Sequence, residues 1–138
     1  MKKYLVLWSL LALTFTACEG PVGPPGEGGL EVSYHTIRTR DWQLIGGTQD
    51  VSFYRCLVDL NIGDDIYEYG NISVFLYLMD DRNEVQAPLP YSIPRVDGSI
   101  RWDEQYSFDF DSGTISFYAD YLRGETPPEK EFRVVLTW

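Results

Sequence analysis

From residue 105 onward, apolar and polar positions alternate. Tyr106, Phe108 and Phe110 fall on one side of the chain, and Ser107, Asp109 and Asp111 on the other. Successive side chains of an extended strand point to opposite faces, so this period of two predicts a half-buried β-strand. The pattern resumes after Asp111-Ser112-Gly113, where Ile115, Phe117, Ala119 and Tyr121 oppose Thr114, Ser116, Tyr118 and Asp120. Residues 105–121 are therefore expected to form a hairpin turning at Gly113, with Tyr106, Phe108, Phe110 and Phe117 directed inward. Similar runs predict strands at 31–39, 51–60, 72–79, 85–93 and 131–138, each bounded by Gly, Pro, Asn or Asp. In the last of these, Phe132, Val134, Leu136 and Trp138 share a face and are expected in the core.

One segment departs from the alternation. Asp64 can cap a helical turn that Gly70 ends, so residues 64–69 are read as a single short helical turn. Short strands and no helix-length periodicity leave two facing sheets as the compact solution. The expected fold is all-β: an antiparallel β-sandwich of about seven strands formed by residues 30–138, a length suited to one domain with one core.

The first residues follow a different logic. Lys2 and Lys3 precede the apolar run Tyr4–Leu13, and Phe15-Thr16-Ala17-Cys18 closes it, the three-part organisation of a secretory signal. The run is too short for a permanent membrane span. Bulky Phe15 disfavours ordinary cleavage after Ala17, whereas a lipobox accepts an apolar residue there. The stretch resembles the acylated-cysteine signals of bacterial lipoproteins, which implies cleavage between Ala17 and Cys18 and lipid on the Cys18 sulfur. Each buried methylene contributes about 0.8 kcal/mol, so several acyl chains would hold a small domain on a membrane. Residues 18–29 then place glycine at 20, 23, 26 and 29, the period of collagen. Four triplets offer few interchain bonds to offset ordering three strands, so a lone extended tether, and a monomer, is favoured over a trimer. Extended at about 3.1 Å per residue, it could reach about 35 Å.

Charge narrows the partners. Past residue 17 the chain carries nine basic and twenty-one acidic side chains. Such a surface repels nucleic acid and anionic headgroups, so no nucleic-acid partner is expected.

Candidate chemistry is sparse. His35 is the single histidine and lies in a strand, where a half-buried structural role is favoured over a catalytic base. Cys56 alternates with Tyr54, Val58 and Leu60 on a core face and reads as a buried thiol. The carboxylate groups Asp64-Asp65 with Glu68, Asp80-Asp81 with Glu84, and Asp103-Glu104 lack the spacing of a known calcium loop and read as solvated turns. No catalytic residue, metal site or cofactor is assigned, and no enzyme activity is expected. Aromatic residues are abundant, and three of them, Trp42, Tyr91 and Trp102, lie near strand ends beside polar neighbours. Stacking on such rings with hydrogen bonds from adjacent acids is one way to hold a sugar, so these three form a candidate ligand surface, although Trp42 and Trp102 are read first as lid residues that plug the ends of the sandwich.

Cys18 with Glu19-Gly20-Pro21, then Gly23-Pro24-Pro25-Gly26, Asp41-Trp42, Gly70, Leu89-Pro90-Tyr91, Trp102 and Phe132-Arg133-Val134-Val135 together resemble the collagen-stub lipoproteins of Gram-negative gut anaerobes. The resemblance implies an exported all-β protein of unassigned function, held by its lipid in the cell envelope as an outer-membrane lipoprotein. It leaves the periplasmic and surface faces both open. From the chain's own residues an envelope protein or a glycan is the expected partner, with a structural or interaction role first and glycan or peptide binding through the exposed aromatics second.

Overall fold

The computed structural model describes residues 28–80 and 83–138. The signal segment, the cleavage position Ala17, Cys18 and the tether up to residue 27 lie outside the described residues, as do Asp81 and Arg82.

Nine strands run β1 (Leu30–Ile37), β2 (Gln43–Gly47), β3 (Val51–Asp59), β4 (Asn71–Asp80), β5 (Asn83–Pro88), β6 (Tyr91–Asp97), β7 (Ile100–Asp111), β8 (Thr114–Leu122) and β9 (Lys130–Thr137). They form a four-stranded antiparallel sheet ordered β1-β9-β4-β5 and a five-stranded one ordered β2-β3-β8-β7-β6. The two sheets enclose one core. Val74, Leu76, Phe132, Val134 and Leu136 from the first sheet meet Tyr54, Cys56, Tyr106, Ile115, Phe117 and Ala119 from the second. Phe117 and Phe132 join them directly, with ring centroids 4.6 Å apart.

The hairpin at 105–121 forms around Gly113, whose φ of 101° suits a residue without a Cβ. Its first strand starts earlier than expected, at Ile100, because a second tight turn with Gly98 at φ 59° joins it to β6. The stretch 85–93 is two strands in different sheets, not one. Pro88 closes β5 at a sheet edge, the Leu89-Pro90 bond is cis, and the chain crosses to begin β6 at Tyr91. That crossing and the short edge strand β2 raise the strand number from seven to nine.

Helix α1 (Asp64–Tyr69) occupies the expected turn, but Gly63 is its N-cap and Asp64 lies inside the first turn. Asp64 and Asp65 there complement the positive end of the helix dipole. At its other end Gly70 donates to the Ile66 carbonyl at 3.0 Å. A Cβ on Gly70 would stand 2.7 Å from the carbonyl oxygens of both Ile66 and Thr137, so the close approach of α1 to β9 requires glycine.

Phe132, Val134 and Leu136 are buried as expected, whereas Trp138 is 42% exposed at the end of the sheet. Phe110 is likewise 38% exposed, because its end of the inner face is covered only by α1, where Tyr67 packs edge-on at 6.1 Å. Gly29 and Trp138 exchange backbone hydrogen bonds, 2.6 Å from Gly29 N–H and 3.2 Å from Trp138 N–H, so strand pairing reaches one residue before Leu30. Chain entry, residue 138, α1 and the Gly113 turn thus share one end of the sandwich. The Thr48–Asp50 turn, the Gly98 turn and the segment 123–129 lie at the other.

Candidate functional site

Trp42, Tyr91 and Trp102 do not form a common surface. Asp41 explains Trp42: its Oδ2 accepts the Arg38 backbone N–H at 2.9 Å and closes a 3-10 turn at Thr39–Asp41. The polar neighbours of Trp42 therefore belong to the turn that swings the chain between sheets. Trp42 itself is 6% exposed and packs against Tyr106 and Phe132, at centroid distances of 6.4 and 6.5 Å. Tyr91 is the register partner of Tyr106 and packs half-buried on the core. Trp102 sits on the inner face of β7, edge-on to Tyr121 at 5.0 Å, where a shallow depression of about 290 Å³ reaches it beside Arg101 and Asp103. Trp42 is a core ring, and Tyr91 and Trp102 are half-buried, so the three rings present no common exposed patch.

The inner face of β7 also carries a charge. Glu104 is 1% exposed. Its Oε1 accepts from Tyr106 Oη at 2.6 Å and faces Lys130 Nζ at 3.3 Å, while Oε2 accepts from Arg95 Nε at 2.7 Å. Desolvation pushes the Glu104 carboxyl up, but the bonds from Tyr106 and Arg95 and the charges of Lys130 and Arg95 outweigh it and hold the group below the ordinary glutamate value. The same burial, with the bond to Glu104, raises the Tyr106 phenol, which stays a donor. A carboxylate bonded at both oxygens and shut away from solvent is engaged in holding the fold. The signal for it was available, since Glu104 has the parity of Tyr106 and Phe108.

His35 and Cys56 line one cleft of about 610 Å³ between β1 and β3, together with Asp41. Burial lowers the His35 pKa, and burial followed by the Asp41 charge raises that of Cys56. A neutral imidazole and a protonated thiol result. His35 Nε2 lies 2.9 Å from Ser33 Oγ, but the acid that could orient the ring, Asp41, is committed to Arg38. The cleft holds the residue types of nucleophilic catalysis without their activation.

Among the described residues, no group of three or more His, Cys, Asp or Glu side chains gathers as a metal site. Asp64 and Asp65 open α1, and Asp103 is exposed next to Glu104. The Asp80-Asp81 group falls partly outside the described residues.

The aromatic surface that does exist lies on the outer face of the four-stranded sheet. Register aligns Tyr34, Arg133, Phe75 and Pro88 in one row across β1, β9, β4 and β5, and sets Tyr77 beside Gln86 in the next. Tyr34 and Tyr77 have ring centroids 6.2 Å apart at 32°. Arg133 Cζ lies 5.7 Å above the Phe75 ring, its Nη1 donates to Gln86 Oε1 at 2.9 Å, and Gln86 Nε2 donates to Tyr77 Oη at 3.2 Å. Residues 72–79 are apolar at nearly every position, which hides Phe75 and Tyr77 from an alternation argument. Only pairing with β9 decides that Val74 and Leu76 face inward and these two rings outward.

No family model matches the chain, and neither does any curated protein or solved structure. The reading of function therefore rests on its own residues.

Proposed function

We propose that this chain is a lipid-anchored module of the bacterial cell envelope, an outer-membrane lipoprotein that acts by holding or contacting a partner. The sequence support is the signal run ending in Phe15-Thr16-Ala17-Cys18, followed by a glycine-rich tether. The structural observation that carries it is the bonding between Gly29 and Trp138, which puts chain entry at one end of the sandwich. A lipid on Cys18 would lie beyond that end. The Thr48–Asp50, Gly98 and 123–129 segments would point away from the membrane, and both outer sheet faces would stand free beside it. The domain then works as a monomeric platform carried on a spacer.

The test is fractionation of cells expressing the full chain. Cys18→Ser removes the sulfur that takes the diacylglycerol, so the protein should leave the membrane fraction or accumulate with its signal uncleaved. Unchanged membrane partition of the Cys18→Ser protein would sink the reading.

A further inference from the structure

We propose that the outer face of the four-stranded sheet is a binding platform for a neutral carbohydrate, centred on Tyr34 and Tyr77. The proposal goes beyond the anchored-module reading and does not depend on acylation of Cys18.

An antiparallel sheet with one face on the core normally presents polar residues on the other. Here β1, β9 and β4 bury Ile37, Phe132, Val134, Val74 and Leu76 on one side and carry Tyr34 with the half-buried Phe75 and Tyr77 on the opposite side. Tyr34 is 59% exposed. One exposed ring continuous with half-buried aromatic side chains and bounded by polar groups suits an interaction site.

The polar groups on this face are planar and already positioned. Arg133 bonds Gln86 and Gln86 bonds Tyr77, so a guanidinium, a carboxamide and a phenol form one chain beside the rings. Desolvation, then the neighbouring Tyr34, raises the Tyr77 pKa, so its hydroxyl keeps its proton. A pyranose has one face of C–H groups and a rim of hydroxyls. The C–H face fits a tyrosine ring, and the rim hydroxyls fit donors and acceptors fixed around it. Because these side chains are held before the ligand arrives, little ordering cost remains at binding.

Other occupants fit less well. Strands β9 and β4 each pair on both edges, and the unpaired backbone groups of the edge strands β1 and β5 lie in the plane of the sheet, so strand addition would extend the sheet at its margin and leave the ring-bearing face uncovered. The formal charge of −10 opposes an anionic ligand and a second copy of the same chain alike. An uncharged polyhydroxylated ligand meets neither barrier.

The test is affinity electrophoresis of the full chain in detergent micelles, through gels containing galactomannan, hydroxyethyl cellulose or dextran, with polygalacturonate as the anionic control. At least one neutral polysaccharide should retard the protein and polygalacturonate should not. Tyr34→Ala should weaken retardation roughly tenfold, the scale of one lost ring contact, while Tyr34→Trp preserves it. The melting temperature of both variants should match the parent, because Tyr34 is exposed. Absence of retardation by all three neutral polymers, or retardation unchanged by Tyr34→Ala, overturns the proposal. A dimer seen by light scattering and lost in Tyr34→Ala would also overturn it, by assigning the face to a second copy. Membrane partition in Tyr34→Ala cells should remain that of the parent, which separates this test from that of the anchor.

Discussion

The hydroxyl of Tyr106 donates to the carboxylate of Glu104 at 2.6 Å from two positions along the same strand, and both side chains are shut away from solvent. Residues i and i+2 of a strand share a face, so β7 carries a buried acid together with its own donor. The balancing cations come from elsewhere: Arg95 from the neighbouring β6, and Lys130 from β9 in the opposite sheet. One carboxylate thereby ties the two sheets together at the end remote from chain entry.

Removing that charge should be costly. Glu104→Gln leaves Lys130 mostly buried without its counter-ion, and a loss of about 3 kcal/mol in urea unfolding at pH 7 is expected. Because the folded-state pKa of Glu104 is lowered, its contribution is complete above the unfolded value of about 4.3 and disappears as pH falls toward the lower folded value. The gap between parent and variant should close in that acid range. A gap of constant size would show that shape, not charge, is responsible.

His35 makes a separate contribution at milder pH. Burial lowers its folded pKa, so below about 6.5 the unfolded chain binds the proton first and stability declines as pH falls further. Melting curves between pH 7.5 and 5.5 should drop more steeply for the parent than for His35→Gln.

The two tryptophans should behave differently. Trp42→Ala empties a site between Tyr106 and Phe132 and should cost about 3 to 5 kcal/mol. Trp102→Ala removes a half-buried ring at the margin and should cost less than half as much, measured by the same denaturant midpoints. Comparable losses would mean that Trp102 is as much a core residue as Trp42.

In β9 the period of two can be checked directly. Leu136→Ala should destabilise by about 2 to 5 kcal/mol, whereas Arg133→Ala, on the outer face, should stay within about 1 kcal/mol.

Gly70→Ala should lower the melting temperature although it removes no contact. The added methyl meets two carbonyl oxygens at 2.7 Å, and the backbone of α1 or β9 must move at a cost of about 1 to 3 kcal/mol.

Local pattern alone determined much of this protein. The alternation through Tyr106, Phe108, Ile115 and Phe117 specifies a hairpin and its inward face, because side-chain direction in a strand follows position. The same rule buries Phe132, Val134, Leu136 and Cys56. Glycine at 113 was equally legible, as φ 101° admits few other residues. What local pattern could not determine is where a strand changes sheet and which neighbour covers a ring. The passage from β5 to β6 splits one apolar run between two layers, and the Arg38–Asp41 bond carries Trp42 into the core although its sequence neighbours are charged. Trp138 and Phe110 keep the inward parity and still meet solvent, because each lies where the opposite layer stops. Conversely, Tyr34, Phe75 and Tyr77 come from strands distant in sequence and face outward together only through pairing with β9. Parity is a property of one strand; a surface needs the register of several, and that is set by long-range packing.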